Sequence, residues 1–514
     1  MRPITPPHRA LPVLSMLAAA LLLAGCASTG GLEPDASMAN PDALSASRTL
    51  DNQGTGNAAF PTQDWWTSLG DPQLDALIDE ALQGTPSLDA AAARLRAARA
   101  QAGLADAARK PTLSASAQYT AIQIPETFAE PPQGGSIQTS PVLLLDFKWS
   151  PDLWGGQRAQ YEAAVGQVRA AEVDAQAARL DLSAAIARTY VALAQAFDAR
   201  EVAEKEQSRA SQLSGLSQQR VDAGLDNQMQ LRQSESGIAS ARQQVQAAQQ
   251  QIDGLRNALA ALLGKGPDRG LDITRPQLLD APSPAVPAVL PSELLGHRAD
   301  VVAARWRVEA ASRGIDAGKA AFKPSMNLTA LLGLASFGIS DLFSDEAVLG
   351  FGGPAFNLPI FDGGRLRDSL DKADADYDLA VAGYNQSLVM AMHEVADALQ
   401  AARSLDAQVA SATQARDAAS AAYDLASQRY KAGLGTQLDV LAAQRPLFQL
   451  DQQLAALQAQ RYGATVDLDH ALGGGLQLQS PASADADTDA TSTTRSTGTD
   501  AVQANAMPTK VTTP

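Results

Sequence analysis

The sequence predicts an internally duplicated α+β membrane protein, in which a few strands per chain join a shared β-barrel and very long helices extend from it. Three observations predict this. Gln219-Arg220-Val221-Asp222-Ala223-Gly224-Leu225 returns as Gln428-Arg429-Tyr430-Lys431-Ala432-Gly433-Leu434. The copies lie about 210 residues apart, far outside short solenoid periods, and so mark a doubled half-molecule. Each copy interrupts a proline-free stretch, 152–266 and 365–445, and each stretch is preceded by segments that alternate with period two.

The N-terminus is read first and set aside. Arg2, His8 and Arg9 give a basic start, Leu11–Leu23 is mostly apolar, and Leu23-Ala24-Gly25-Cys26 places small residues before a cysteine. Residues 1–25 therefore read as a signal peptide. Cys26, the one cysteine in 514 residues, fits a bacterial lipobox whose thiol is acylated, though an ordinary signal peptide beside a bystander cysteine gives the same letters. Acyl chains contribute about 0.8 kcal/mol per buried methylene, so several of them anchor firmly. Ala27, where many inner-membrane lipoproteins carry Asp, resembles the outer-membrane sorting pattern. Residues 26–60, rich in Ser, Asn, Gly, Pro and Asp, read as a lipidated flexible tether, and 476–514 as a disordered tail. Between them lie a first repeat (61–270), a linker (271–290) and a second repeat (291–475).

Net charge is −16, from 40 basic and 56 acidic residues, which argues against nucleic acid as a partner. No apolar run beyond the signal peptide approaches the roughly 20 residues of a membrane helix. A body that crosses a membrane must then do so as a β-barrel.

Asp71-Pro72 opens a helix and Gly84-Thr85-Pro86 separates it from a second that ends before Lys110-Pro111. In 112–121, Leu113, Ala115, Ala117 and Tyr119 alternate with Ser114, Ser116, Gln118 and Thr120, the period of a barrel strand. After a loop at 125–137, a second strand sets Leu143, Leu145, Phe147 and Trp149 against Ser140, Asp146 and Lys148. The second half repeats the order: a helix ending at Lys323-Pro324, a strand through Met326, Leu328, Ala330, Leu332 and Leu334, a loop at 337–347, and a Gly-rich strand running to Leu358-Pro359-Ile360. Trp149 and Trp154 suit either an aromatic girdle or burial at a helix–strand junction. From Arg365 to Ala432 there is no proline and a single glycine, Gly383, which at about 1.5 Å per residue spans roughly 100 Å.

Four strands cannot close a transmembrane barrel, since known barrels start at eight. An open edge in lipid leaves unpaired amides at several kcal/mol each, so several chains must share one barrel and set their hairpins side by side.

Three stretches resemble the TolC-type outer-membrane factors, specifically the lipoprotein NodT/OprM branch of RND-type efflux systems. They are Asp64-Trp65-Trp66-Thr67-Ser68-Leu69-Gly70-Asp71-Pro72-Gln73-Leu74, then Leu290-Pro291-Ser292-Glu293-Leu294-Leu295 with His297-Arg298-Ala299-Asp300-Val301, and the paired tip motif. The usual Arg-Pro-Asp stands here as Arg298-Ala299-Asp300. The resemblance covers roughly 60–475 and is specific because the three occur in order. It implies a homotrimer with a twelve-stranded outer-membrane barrel, four strands per chain, continuing into a periplasmic α-helical barrel. It further implies a periplasmic adaptor (membrane fusion) protein and an inner-membrane RND-type transporter as partners, with the chain as a passive exit duct for drugs or other toxic small solutes. A type I protein-secretion duct and a non-pore coiled-coil lipoprotein scaffold are the alternatives.

No catalytic constellation stands out and no cofactor is expected. His297, His393 and His470 lack metal-ligand spacing, and His393-Glu394 lacks the second histidine of a zinc motif. Gly224 and Gly433 sit where a helix must reverse. They are either turn residues alone or, with Arg220, Leu225, Arg429 and Leu434, the surface that docks on the adaptor. Beyond the second tip, Leu438, Asp439 and Arg445 fall where the family places its closing constriction. They read either as solvated charges or as a gate in which Asp439 pairs with Arg445 of a neighbour. Ala442 stands where relatives often carry another Asp. Tyr430 either bridges neighbouring hairpins or packs locally.

Overall fold

The computed structural model describes residues 29, 31–44, 59–279 and 294–476. The signal peptide, Cys26, much of the tether, the second part of the linker and nearly all of the C-terminal tail lie outside these residues. The described elements are α1 (Pro72–Gln83), α2 (Pro86–Ala108), β1 (Thr112–Gln123), β2 (Ile137–Trp149), α3 (Gly156–Asp222), α4 (Gln228–Leu262) and the short α5 (Asp268–Leu271). The second half supplies the short α6 (Leu294–His297), α7 (Ala299–Ala320), β3 (Ser325–Ala335), β4 (Val348–Asn357), α8 (Arg365–Lys431) and α9 (Gln437–Ala471).

Local chemistry sets the boundaries. Asp71 accepts the Gln73 N–H at 2.9 Å and Pro72 occupies the first turn of α1, where its missing N–H is no loss. The two long helices start alike: Asp152 accepts the Arg158 N–H at 2.7 Å ahead of α3, and Asp362 accepts the Leu366 N–H at 2.9 Å ahead of α8. Each then runs 67 residues. α9 passes straight through Pro446, so the proline that closes the proline-free stretch does not end the helix. It does remove the N–H that would bond Ala442.

The strands form one antiparallel sheet in the order β1-β2-β3-β4. Register sets Leu113 opposite Phe147, Leu145 opposite Leu332 and Leu143 opposite Leu334, which makes one continuous apolar face. The other face pairs Ser114 with Asp146 and Lys148 with Thr329, and the Asp146 and Lys148 side chains bond at 3.0 Å. β2 starts at Ile137, at the end of the stretch read as loop, and β4 stops at Asn357 rather than at Ile360, opposite Ser325 where its partner β3 begins. β1 and β4 each keep an unpaired edge within this chain.

Below the sheet, α2 lies along α3, α7 along both α3 and α8, α4 along α3, and α9 along α8 and α3. Small residues permit the close crossing of α3 and α7: a Cβ on Gly166 would stand 2.9 Å from the Ala310 Cβ. The main core gathers where α1, the middle of α3 and the end of α4 meet. Trp65, Trp66, Leu77, Ile186, Tyr190, Ile252 and Leu259 are buried there.

Part of the stretch read as a flexible tether is seated instead. Residues 31–44 run along α8, with Ala36 N–H donating to Asp378 at 2.9 Å and Ala39 N–H to Asn385 at 2.7 Å. Leu32 packs beside Phe322 and Leu370, and Leu44 beside Val395 and Leu399. We call this segment the strap. Small or apolar side chains and backbone bonds to Asp378 and Asn385, which also donates to the Ser37 carbonyl at 3.1 Å, hold it, a signal too sparse for its composition to reveal.

Candidate functional site: the paired hairpin tips

The two helix reversals are built from the same parts. At the first, Leu225 N–H donates to the Arg220 carbonyl at 2.8 Å and Gly224 N–H to Val221 at 3.0 Å. At the second, Leu434 N–H donates to Arg429 at 2.8 Å and Gly433 N–H to Tyr430 at 3.0 Å. This satisfies the last helical carbonyls and requires a left-handed residue at the turn. Gly224 (φ 71°) and Gly433 (φ 74°) supply it. No atom lies within 4 Å of a Cβ built at either position, so the demand for glycine is conformational rather than steric.

The return helices are capped alike as well. The Asn227 side chain accepts the Met229 and Gln230 N–H groups while the Gln230 side chain accepts the Asn227 N–H. Thr436 and Asp439 form the matching capping box, the Asp439 carboxylate accepting the Thr436 N–H at 2.8 Å and its hydroxyl at 2.9 Å. Those bonds, with Arg429 nearby, hold the Asp439 carboxyl below its ordinary value. Asp439 thus closes a helix end in its own chain. Among the described residues Arg445 is exposed and has no carboxylate within 4.0 Å, so this chain does not bring Asp439 and Arg445 together.

Leu225, Leu434 and Leu438 project from the tips with 65%, 73% and 70% of their surface exposed. Met229 joins them at 72%; sequence reasoning missed it. The signal was in the repeat, because Met229 holds the same place after Gly224 that Leu438 holds after Gly433.

Between the tips the repeat breaks, and there the two hairpins are tied together. Tyr430 is 1% exposed, and its hydroxyl donates to Asp226 at 2.7 Å. Arg220 donates to the same carboxylate at 2.9 Å, and its guanidinium lies 4.7 Å from the centre of the Tyr430 ring. The Arg220 bond, then that of Tyr430, draws the Asp226 carboxyl below its usual range, while burial and the adjoining carboxylate push the Tyr430 phenol up. Gln437 donates to the Ser217 hydroxyl at 3.0 Å and the Gln230 carbonyl at 3.2 Å. Leu213, Tyr430 and Val440 are buried against one another beneath these bonds. Arg220 is therefore engaged within the tip, whereas Arg429 donates to the Leu434 carbonyl at 3.4 Å and, among the described residues, forms no ion pair within 4.0 Å.

A second polar layer crosses from hairpin to hairpin farther from the tips. Arg209 pairs with Asp451 at 2.8 Å and Glu206 at 3.0 Å, Arg416 reaches Asp451 at 3.0 Å, and Gln444 donates to Glu206 at 2.7 Å. Burial pushes the Glu206 carboxyl up. The histidines lie elsewhere: His297 stacks on Phe60, and His470 meets Asp181 at 2.9 Å.

Comparison with known proteins places this geometry. The family described as outer membrane efflux protein matches residues 77–265 and again 290–474, so the duplication seen in the tips extends through the family match. The fusaric acid resistance protein FusA of Burkholderia cepacia is 36% identical over 369 residues, covering 70% of this chain and 69% of that protein. The pyoverdine export outer membrane protein OpmQ of Pseudomonas putida is 31% identical over 490 residues, covering 91% and 98%. The crystal structure of the outer membrane protein VceC from Vibrio cholerae superposes with a TM-score of 0.74 at 37% identity, covering 81% of this chain and all of that one. The chain belongs to the outer membrane efflux protein family: it is a non-enzymatic subunit of a trimeric outer-membrane channel, in which a β-barrel continues into a periplasmic helical tunnel.

Proposed function

We propose that this subunit is the passive exit duct of a tripartite pump, docked at its tips by a periplasmic adaptor and held shut at rest by the contact between its own two hairpins. The observation that carries this reading is the conjunction at one end of the molecule. Four exposed apolar side chains, Leu225, Met229, Leu434 and Leu438, share the tips with a part-buried Arg220–Asp226–Tyr430 contact. Exposed apolar groups clustered on so polar a surface suit a partner's tips. A largely buried polar contact at the far end of two hairpins suits an element with two positions. Docking on the leucines beside the tyrosine would then shift the hairpins apart. In the trimer, Arg445 would find its carboxylate on a neighbouring subunit, at the same level as the contact.

The cargo suggested by relatives named for fusaric acid resistance and pyoverdine export is a small organic solute, delivered by an inner-membrane RND-type transporter. Acylation of Cys26 would anchor the chain to outer-membrane lipid. Replacing Leu225 and Leu434 together by Asp tests the docking assignment. Trimers of normal melting behaviour are expected, with crosslinking to the adaptor in cells strongly reduced and drug susceptibility approaching that of a deletion strain. Undiminished crosslinking and resistance would refute it.

A further inference from the structure

The barrel–helix joint holds a cavity that the duct reading leaves unused. It measures about 520 Å³ and lies between the start of α3 and the end of α7, within the range of small-ligand sites. Trp154 forms one wall, and its indole N–H donates to the Pro324 carbonyl at 2.7 Å, the residue immediately before β3. The site therefore sits at the level where the sheet leaves the membrane.

Its charge opposes that of the chain. Arg158, Arg313, Lys319 and Lys323 line it against Glu162 and Asp316, a local excess of cations in a protein of net charge −16. The arginines are engaged: Arg158 bonds Glu162 at 2.7 Å, and Arg313 bonds Glu309 at 3.0 Å and approaches Asp316 and Glu162 at 3.5 Å. Lys319 and Lys323 are exposed, and among the described residues neither has a carboxylate within 4.0 Å. Lys323 instead lies 5.1 Å from the centre of the Trp154 ring. Lys319 also acts on the buried Asp374 carboxyl of α8, but neither lysine is tied up in an ion pair among the described residues. Two exposed ammonium groups and an interfacial tryptophan around a cavity at bilayer level are the chemistry that holds a lipid phosphate.

The strap packs on the same helix that lines the cavity. Lys319 stands one helical turn past Ile315 on α7, whose side chain shares a cluster with Leu32. α3 and α7 are the inner pair of the wall α2-α3-α7-α8 within one chain, so the cavity is remote from the sheet edges that meet neighbouring subunits. We infer that it binds the phosphate headgroup of an anionic phospholipid from the periplasm-facing leaflet. This rests on the proposed acylation of Cys26, which puts the strap, and so this face, on the outside of the tunnel.

Native mass spectrometry of the delipidated full-length trimer tests it, with phosphatidylglycerol or phosphatidylcholine added at equal concentration. Wild type should retain up to three phosphatidylglycerol molecules per trimer with about thirtyfold preference over phosphatidylcholine, the scale expected of two lysines at a lipid surface. Lys319→Gln with Lys323→Gln should reduce the preference to within about twofold, while Lys265→Gln, distant on the α4–α5 turn, should not. Equal binding of both lipids by wild type, an unchanged preference in the double variant, or displacement by millimolar inorganic phosphate would overturn the assignment. Denaturing spectra of the same samples report the acyl mass on Cys26. Unacylated chains that keep the preference would refute the anchor alone, and acylated chains without it would refute the site alone.

Discussion

At the scale of single residues, the two tips are equal wherever the chain must turn and unequal wherever it makes contact. Gly224 and Gly433, Leu225 and Leu434, and Asn227 and Thr436 hold matching places. Tyr430 stands where the first copy has Val221, and Asp226 where the second has Gly435. Those two departures are the residues that bond. Asp226 has a depressed carboxyl, so its contribution is complete above the ordinary aspartate value, about 4, and is lost only as pH falls through its lower folded value. Tyr430 has a raised phenol, so its contribution is complete below about 10 and is lost as pH rises through a value above that. Channel conductance in planar bilayers is therefore expected to stay constant from about pH 5 to about pH 9. A midpoint inside that window would show that some other group governs closure. The repeat made the glycines legible in the sequence. The contact was not, because a motif search rewards agreement between copies and Asp226 and Tyr430 are where they disagree. Asp439 carries two readings at once: its charge suggests a gate, and its spacing from Thr436 spells the capping box that the structure shows.

At the scale of elements, tip geometry is set by helix ends rather than by packing. Asparagine or threonine caps the returning helix and a left-handed glycine ends the outgoing one. Gly433→Ala forces a Cβ into the left-handed region at a cost of about 1 kcal/mol, and Thr436→Ala removes a cap worth about the same. Because the main core lies far along the helices from the tips, both substitutions are expected to speed amide exchange across 428–440 while leaving the trimer's thermal midpoint unchanged. A fall in that midpoint would mean that the tips contribute to assembly. Strand and helix lengths were readable because period-two alternation and the proline-free runs are long. The strap was not, since Leu32, Ala36, Ala39 and Leu44 gain their meaning only from Asp378, Asn385 and the flank of α8, more than 300 residues away in sequence.

At the scale of the whole molecule, one physical constraint organises the rest. A four-stranded sheet with free edges at β1 and β4 has no stable place in lipid until neighbouring copies pair those edges. The three-chain solution also sets six hairpins in a ring, so each duct carries three copies of the Arg220–Asp226–Tyr430 contact at the hairpin tips. Alanine-rich helices bury little apolar area per residue, which leaves lateral packing to stabilise the tunnel and polar contacts to decide how neighbouring hairpins stand. The central claim is that these contacts hold the resting duct closed. Single-channel conductance of purified trimers carrying Tyr430→Phe together with Asp226→Ala, set against wild type in the same bilayer, tests it most directly. The account predicts a several-fold larger open conductance in the variant with trimers intact, and an unchanged conductance would contradict it.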